Sequence, residues 1–242
     1  MARTDGKSTA LSLCHAGAMT GAPTPRAVAR AETTARIKEL ALAQLAESGA
    51  SSLSLRAVAR ALDLVSSAIY RYYASRDELI TALIVDAYDD LAAAVEVAVE
   101  HPRRGARRRF VDGCAAMHTW ARAEPHRWAL IYGSAIPGYT APADTVAPAA
   151  RVVRALCTPV ADHRGTGTGR GPGGRLGAQL DATAAALDLD VDRATMLTLV
   201  GAFGRLVGLL TLELNGHFVG GLEPADDLWA AMVEREADDL GL

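Results

Sequence analysis

Between Ser54 and Leu79 the chain reads SLRAVARALDLVSSAIYRYYASRDEL, a run that gathers cations, hydroxyls and phenols at helical spacings. Arg56 and Arg60 stand one helical turn apart, Arg71 and Arg76 flank a tyrosine cluster, and Ser66, Ser67 and Ala68 are small. Guanidinium and phenol groups donate hydrogen bonds to phosphate oxygens, and small side chains let a helix come close to base edges. The chemistry on offer is non-covalent recognition of a grooved polyanion.

The elements that position these groups follow from the same run. Ser54 is an N-cap for a helix whose Leu55, Val58, Ala59 and Leu62 share one face, with Arg56 and Arg60 opposite. Asp63 breaks that pattern, because a short polar side chain tolerates turn backbone. A second helix is predicted from Ser66, with Ile69 and Tyr73 inward and Ser67, Ala68, Arg71 and Tyr72 on or near the outer face. Ser75-Arg76-Asp77-Glu78 is a capping box that starts a long helix, predicted to end near Glu100 before His101-Pro102. Arg76 then sits in a fixed first turn, within reach of a phosphate. Two helices about a tight turn, followed by a capped third, make the layout of a helix-turn-helix DNA reader. The plainer alternative, an antiparallel helix pair with solvated arginines, leaves the conjunction of turn, aromatic cluster and capping box unexplained.

This run resembles the TetR-type transcriptional regulators, whose signature is Y-x-H-F-x-S-K-E-x-L. Here the corresponding residues are Tyr70-Arg71-Tyr72-Tyr73-Ala74-Ser75-Arg76-Asp77-Glu78-Leu79. The resemblance implies three helices plus the start of a fourth. It places Tyr70 and Arg76 on the DNA backbone and turns Ser66, Ser67, Ala68 and Tyr72 to the groove. Ser54, Arg56 and Arg71 complete the expected DNA-contacting set. Asp63 stands where the family has a turn glycine and Val65 where it has a capping serine, which shifts the expected helix start by about a residue.

Composition sets the remaining bounds. The 242 residues allow about two domains, and the alanine-rich, aromatic-poor content (5%) favours an all-α fold. The formal net charge of -3 rules out a uniformly basic coat, so any DNA contact depends on local placement of cations. Cys14, Cys114 and Cys157 are too few and too scattered for a disulfide framework or zinc finger, which fits a reducing cytoplasm. No run of 18 apolar residues is present, so no membrane span is expected. Residues 1–24 lack helical period and are predicted to be a disordered arm, with Met19 as an alternative start and Arg3, Lys7 and Arg26 as a sparse minor-groove set.

Thr24, Pro25 and Gly49 punctuate a first helix that supports the reading pair through Ile37, Leu40, Ala41 and Leu45. Arg103, Arg104, Arg107, Arg108 and Arg109 are read as a solvated helix start in preference to a phosphate contact, since cations at a helix N-terminus oppose its dipole. Helices are predicted over Phe110 to Ala123 and Pro125 to Ile136. The stretch from Trp128 to Tyr139 resembles the start of the WHG type of TetR C-terminal domain, which implies small-molecule sensing. Met117, Trp120, Trp128, Tyr132, Tyr139 and Phe203 are the candidate ligand-binding residues, with core filling as the competing role of each.

Asp192 to Phe218 is a long apolar helix with Gly201, Gly204 and Gly208. The family resemblance implies that it dimerises, paired with a helix near Arg151 to Pro159 or with the final helix. Gly169, Gly171 and Gly174 lie in a glycine-rich connector with no strand before it; Cys114 and His118 lack a third metal ligand; Ser134 lacks a nucleophile elbow. No metal, cofactor or catalytic constellation is expected. The predicted protein is all-α, with a helix-turn-helix DNA-binding domain over 25–75 and a helical ligand-binding and dimerisation domain over 76–242. It is expected to be a cytoplasmic homodimeric repressor of an inverted-repeat DNA operator, released by a small apolar effector, and not an enzyme. The alternative is a helical small-molecule-binding protein or enzyme without DNA binding.

Overall fold

Thr24, Pro25 and Gly49 act as their types dictate. In the computed structural model, which describes residues 24–164 and 171–242, helix α1 spans Pro25–Ser48, and Thr24 Oγ1 accepts the Ala27 N–H at 3.2 Å. Gly49 ends the helix in a left-handed conformation (φ 74°) that glycine enters without steric cost. The expected arm up to residue 23 and residues 165–170 of the glycine-rich connector lie outside the described residues, and the end of that connector is helical, with Gly174 the first residue of a helix that runs to Ala186. The described residues form nine α-helices and no strand, as the composition predicts.

Helix α2 (Leu55–Ala61) is capped by Ser54, whose hydroxyl accepts the Ala57 N–H. Asp63 follows with φ 55°, the left-handed turn that the break in pattern predicts. Helix α3 (Arg76–Val99) begins in the expected capping box: Ser75 Oγ accepts the Glu78 N–H at 3.1 Å, and the Glu78 carboxylate reaches back to the Ala74 N–H at 2.5 Å. Both halves of the molecule are built on α3. Leu79, Ile80, Leu83 and Ile84 pack with Ile37, Val58 and Ile69 in a first core, which therefore continues past residue 75. Ala87, Leu91, Ala92, Val95 and Val99 pack in a second core formed with the helices that follow.

Those helices are α4 (Ala106–Ala123), α5 (Pro125–Tyr132), α6 (Val146–Arg164), α7 (Gly174–Ala186), α8 (Arg193–Leu214) and α9 (Asp226–Asp239). Helix α5 stops at Tyr132 and not at Ile136, because Gly133 closes the last turn onto the Ala129 carbonyl and Pro137-Gly138 cannot extend it. Helix α8 ends at Leu214, before the expected Phe218, with Asn215 as its cap.

The arginine block is not simply solvated. Arg107 pairs with Glu234 and Asp238 of α9, Arg109 binds Asp162 of α6 and the Val99 carbonyl, and Arg104 and Arg108 both meet Asp112. For Arg107 and Arg109 the partners come from neighbouring helices, beyond any local window of sequence, whereas Asp112 lies within α4 itself.

Gly113 of α4 sits at the crossing with α3 and α6. A Cβ there would lie 2.7 Å from Val99 Cγ1 and 3.3 Å from Leu156 Cδ2. Gly113→Ala gains about 1 kcal/mol of helix propensity and loses about 1–3 kcal/mol by overpacking, so urea unfolding is expected to show a lower midpoint. A raised midpoint would mean that the crossing relaxes freely.

Candidate nucleic-acid interface and sensing cavity

The reading segment is tighter than its sequence predicts. Ala68 N–H donates to the Val65 carbonyl (2.8 Å), Arg71 N–H to Ala68 (3.2 Å) and Tyr72 N–H to Ile69 (2.9 Å), and Ile69–Arg71 is a single 3₁₀ turn. Val65 supplies no capping oxygen, so these N–H groups close onto the backbone three residues back. Ile69 and Tyr73 anchor the turn in the first core. Ser66, Ser67, Tyr70 and Arg71 face solvent, Tyr70 with 46% of its surface exposed.

Ala68 departs from expectation. It is buried at 5% exposure, next to the buried Ile69 and not on the outer face. Tyr72 is half-buried under Arg30 of α1, whose guanidinium carbon lies 5.0 Å from the ring centroid and whose Nη2 donates to the Arg71 carbonyl at 3.1 Å. Arg30 was not among the predicted contacts; a lone arginine on the supporting helix gives no signal of a grip on a turn that follows it so far along the chain.

Arg76 is also held from an unforeseen direction. Its Nη2 donates to the Ala50 carbonyl at 2.7 Å, and its Nη1 lies 3.3 Å from Asp77. Ser54 is half-buried in its capping role. Arg56, Arg60 and Arg71 are exposed and have no ion pair with any described residue. The outer surface of the first half thus presents uncompensated cations, two serine hydroxyls and a phenol around one anchored turn.

In the second half, Tyr132 is the centre of a ring cluster, 4.6 Å from Trp128, 5.9 Å from Tyr88 and 6.1 Å from Phe203. Trp128 is fixed by donating its indole N–H to Thr211 Oγ1 at 3.2 Å. Trp128 and Tyr132 border a cleft of about 770 Å³ between the end of α1 and helices α5 and α8. Tyr139 borders a smaller cavity of about 260 Å³ with Ile84 and Tyr88, and its hydroxyl shares a 2.9 Å hydrogen bond with Thr81 of α3.

Met117 and Trp120 border neither. Met117 is wholly enclosed in the second core, and Trp120 donates to Asp90 beneath the Arg127 guanidinium. For these two, core filling describes their environment. Tyr88, Thr211 and Asn215 were missed, since only the packing of α3 and α8 against α5 brings them to the rings. His118 is bonded to Glu213 at 2.9 Å and stacked on Trp229, so with the buried Cys114 it is engaged in packing.

Burial, reinforced by the Asp86 and Glu78 carboxylates, pushes the Tyr73 phenol from 10.0 up to about 12, and burial also raises Tyr88 and Tyr132. The folded chain therefore retains phenolic protons that the unfolded chain releases. The tyrosine contribution to stability is expected to be level below pH 10 and to be lost between about pH 10 and 12. Tyr73→Phe should flatten part of that fall in denaturant titrations; an identical slope would remove Tyr73 from the account.

A model of the bacterial regulatory proteins of the tetR family matches residues 37–83, and a tetracyclin repressor-like C-terminal domain model matches residues 110–235. The HTH-type transcriptional regulators Rv1816 of Mycobacterium tuberculosis and Mb1846 of Mycobacterium bovis are each 49% identical over 141 residues, 57% of this chain and 60% of theirs. The chain thus matches about 60% of the length of these curated relatives. The crystal structure of the regulatory protein SCO4313 is 33% identical, with a TM-score of 0.67 over 90% of this chain and 98% of its own. The TetR-family regulator PfmR from Thermus thermophilus shares the fold at 17% identity, with a TM-score of 0.53 over 84% of this chain and 97% of its own. Two domain models in their proper order, the second over more than half of the chain, coincide with the two cores, and the chain belongs to the TetR family of bacterial regulatory proteins.

Proposed function

We propose that the protein is a ligand-responsive transcriptional repressor that binds an inverted-repeat operator as a homodimer. The observation that carries this reading is the anchored turn at Ile69, with exposed Ser66, Ser67, Tyr70 and Arg71 outside it and unpaired Arg56 and Arg60 beside it. Ser66 and Ser67 suit base edges, while Tyr70, Arg71 and Arg56 suit phosphates. Arg76 joins the backbone contacts by exchanging the Ala50 carbonyl for a phosphate oxygen, and Ser54 and Tyr72 hold the surface in shape. The effector is a small, largely apolar molecule received by the second half near the Trp128–Tyr132 rings.

Dimerisation is assigned to α8. Leu197, Val200, Gly204, Gly208 and Leu212 form an outward stripe along it, and Val200 is half exposed. Glycines within such a stripe allow close approach of a second helix. By length and composition α8 is the one helix among the described residues that could cross a membrane. A packed role suits it better, because Arg205 near its middle pairs with the buried Glu236 of α9. The same reading places the protein in the cytoplasm, with no membrane partner.

Selection from a randomised duplex library followed by mobility-shift titration tests the assignment. An inverted repeat should emerge, and Arg71→Ala should weaken binding about tenfold or more. Arg56→Ala should lower affinity uniformly across sequences and reduce the salt slope by about 1. Recovery of no preferred sequence would favour a ligand-binding protein that does not read DNA. Gly204→Glu is expected to yield a folded monomer in light scattering with weakened operator binding; an intact dimer would move the interface off α8.

A further inference from the structure

We propose that Arg30 of α1 is the positioning residue of the DNA-reading turn: its guanidinium caps the exit of that turn and covers Tyr72, and so sets the direction in which Tyr70 and Arg71 leave the surface. The proposal rests on the assignment of this surface to DNA made above.

A turn this short has little of its own to hold it. Its entry has no side-chain cap, and its residues close onto the backbone three positions back. Its exit lacks the left-handed residue that commonly ends a helix, because Tyr72 stays right-handed at φ -100° and ψ -45°. The Arg71 carbonyl is then an orphan of the kind that helix ends leave. Tyr73 N–H donates to the Ile69 carbonyl and Ala74 N–H to the Glu78 carboxylate, so neither closes it.

Arg30 supplies the missing donor from 41 positions earlier in the chain. Its Nη2 donates to the Arg71 carbonyl at 3.1 Å while its guanidinium carbon lies 5.0 Å from the Tyr72 ring centroid, inside the range at which a cation is attracted to a ring face. A cation beside a terminal carbonyl also matches the sign of the dipole at that end. A planar fork can stack on the ring and donate at its edge together, which a compact ammonium group does poorly. Arg30 pairs with no carboxylate among the described residues, whereas Arg36, further along α1, is paired with Glu39. Its contacts with the turn are therefore its own and not the by-product of an ion pair.

The support comes from a different side than the core. Ile69 and Tyr73 are buried and hold the turn from beneath, while Tyr70 and Arg71 are exposed above it. Helix α1 is itself seated in the first core by Ile37, Ala41 and Leu45, so Arg30 ties the outer edge of the turn to a fixed element. Without that tie the core survives and the turn is free to tilt.

Arg30→Lys keeps the charge and the helix propensity at an exposed position and removes the fork. Hydrogen exchange reads the cap without DNA: at an unchanged thermal midpoint, the Tyr72 and Tyr73 amides should exchange at least about fivefold faster than in the parent chain, with the Ile80 and Leu83 amides unaltered. In mobility-shift titrations, affinity for the sequence selected by the parent chain should fall about tenfold, and affinity for a random duplex should not change. A direct phosphate contact predicts instead that lysine serves as well as arginine on both duplexes. Unaltered exchange at Tyr72 and Tyr73 overturns the cap. Faster exchange throughout α3, or equal losses on both duplexes, makes Arg30 a general support and overturns the positioning role. A parent chain that selects a sequence and a lysine variant that binds it equally well overturn that role alone, whereas a parent chain that selects no sequence overturns the repressor reading together with it.

Discussion

The continuous apolar face of α3 is the constraint on which the rest of the structure depends. Its first half contributes Leu79, Ile80, Leu83 and Ile84 to one core, and its second half contributes Ala87, Leu91, Ala92, Val95 and Val99 to the other. Full burial of each large aliphatic side chain stabilises by about 1.5–3 kcal/mol, so neither core can release the helix cheaply. With 24 residues and no internal glycine or proline, α3 is a rod of about 36 Å. It joins the turn at Ile69 to the second half of the chain without a hinge.

Polar contacts refine how the two halves meet around that rod. Tyr139 and Thr81 share a hydrogen bond, Tyr88 donates to the Ile131 carbonyl, Arg127 to the Asp86 carbonyl, and Lys38 of α1 meets the Asp86 carboxylate at 2.6 Å. These bonds lie on the side of α3 that faces α1 and α5, and the cleft opens beside them. Apolar packing along α3 is non-directional, whereas these bonds select one relative placement.

Charge is distributed by half. In the second half many arginines are matched to acids, among them Arg107 with Glu234 and Asp238, Arg151 with Glu96 and Asp89, and Arg205 with Glu236. Exposed pairs of this kind contribute little to stability, about 0–1 kcal/mol each. The Glu236 carboxylate is different, because it is buried and loses its counter-charge if Arg205 is removed. The outer face of the first half keeps Arg56, Arg60 and Arg71 unmatched. A chain of net charge -3 thereby still presents a local cationic surface.

Local signals determined a good deal before any folding. Thr24, Pro25, Gly49, Ser54, Asp63 and the Ser75–Glu78 box act within a few residues of themselves, so the helix starts, the turn and the all-α class are legible from spacing alone. The tyrosine-rich run after Ile69 likewise carries the family in its own order. Tertiary packing decided what depends on distant partners. The reading helix contracted to a 3₁₀ turn, Ala68 was buried, Arg30 closed over Tyr72, and Arg76 found the Ala50 carbonyl. The arginine block met acids from α6 and α9, and the six candidate sensing residues separated into core, ring cluster and cavity wall. Caps and turns are satisfied by neighbours in the chain, whereas an exposed-looking side chain is buried, paired or left free according to which distant helix arrives beside it.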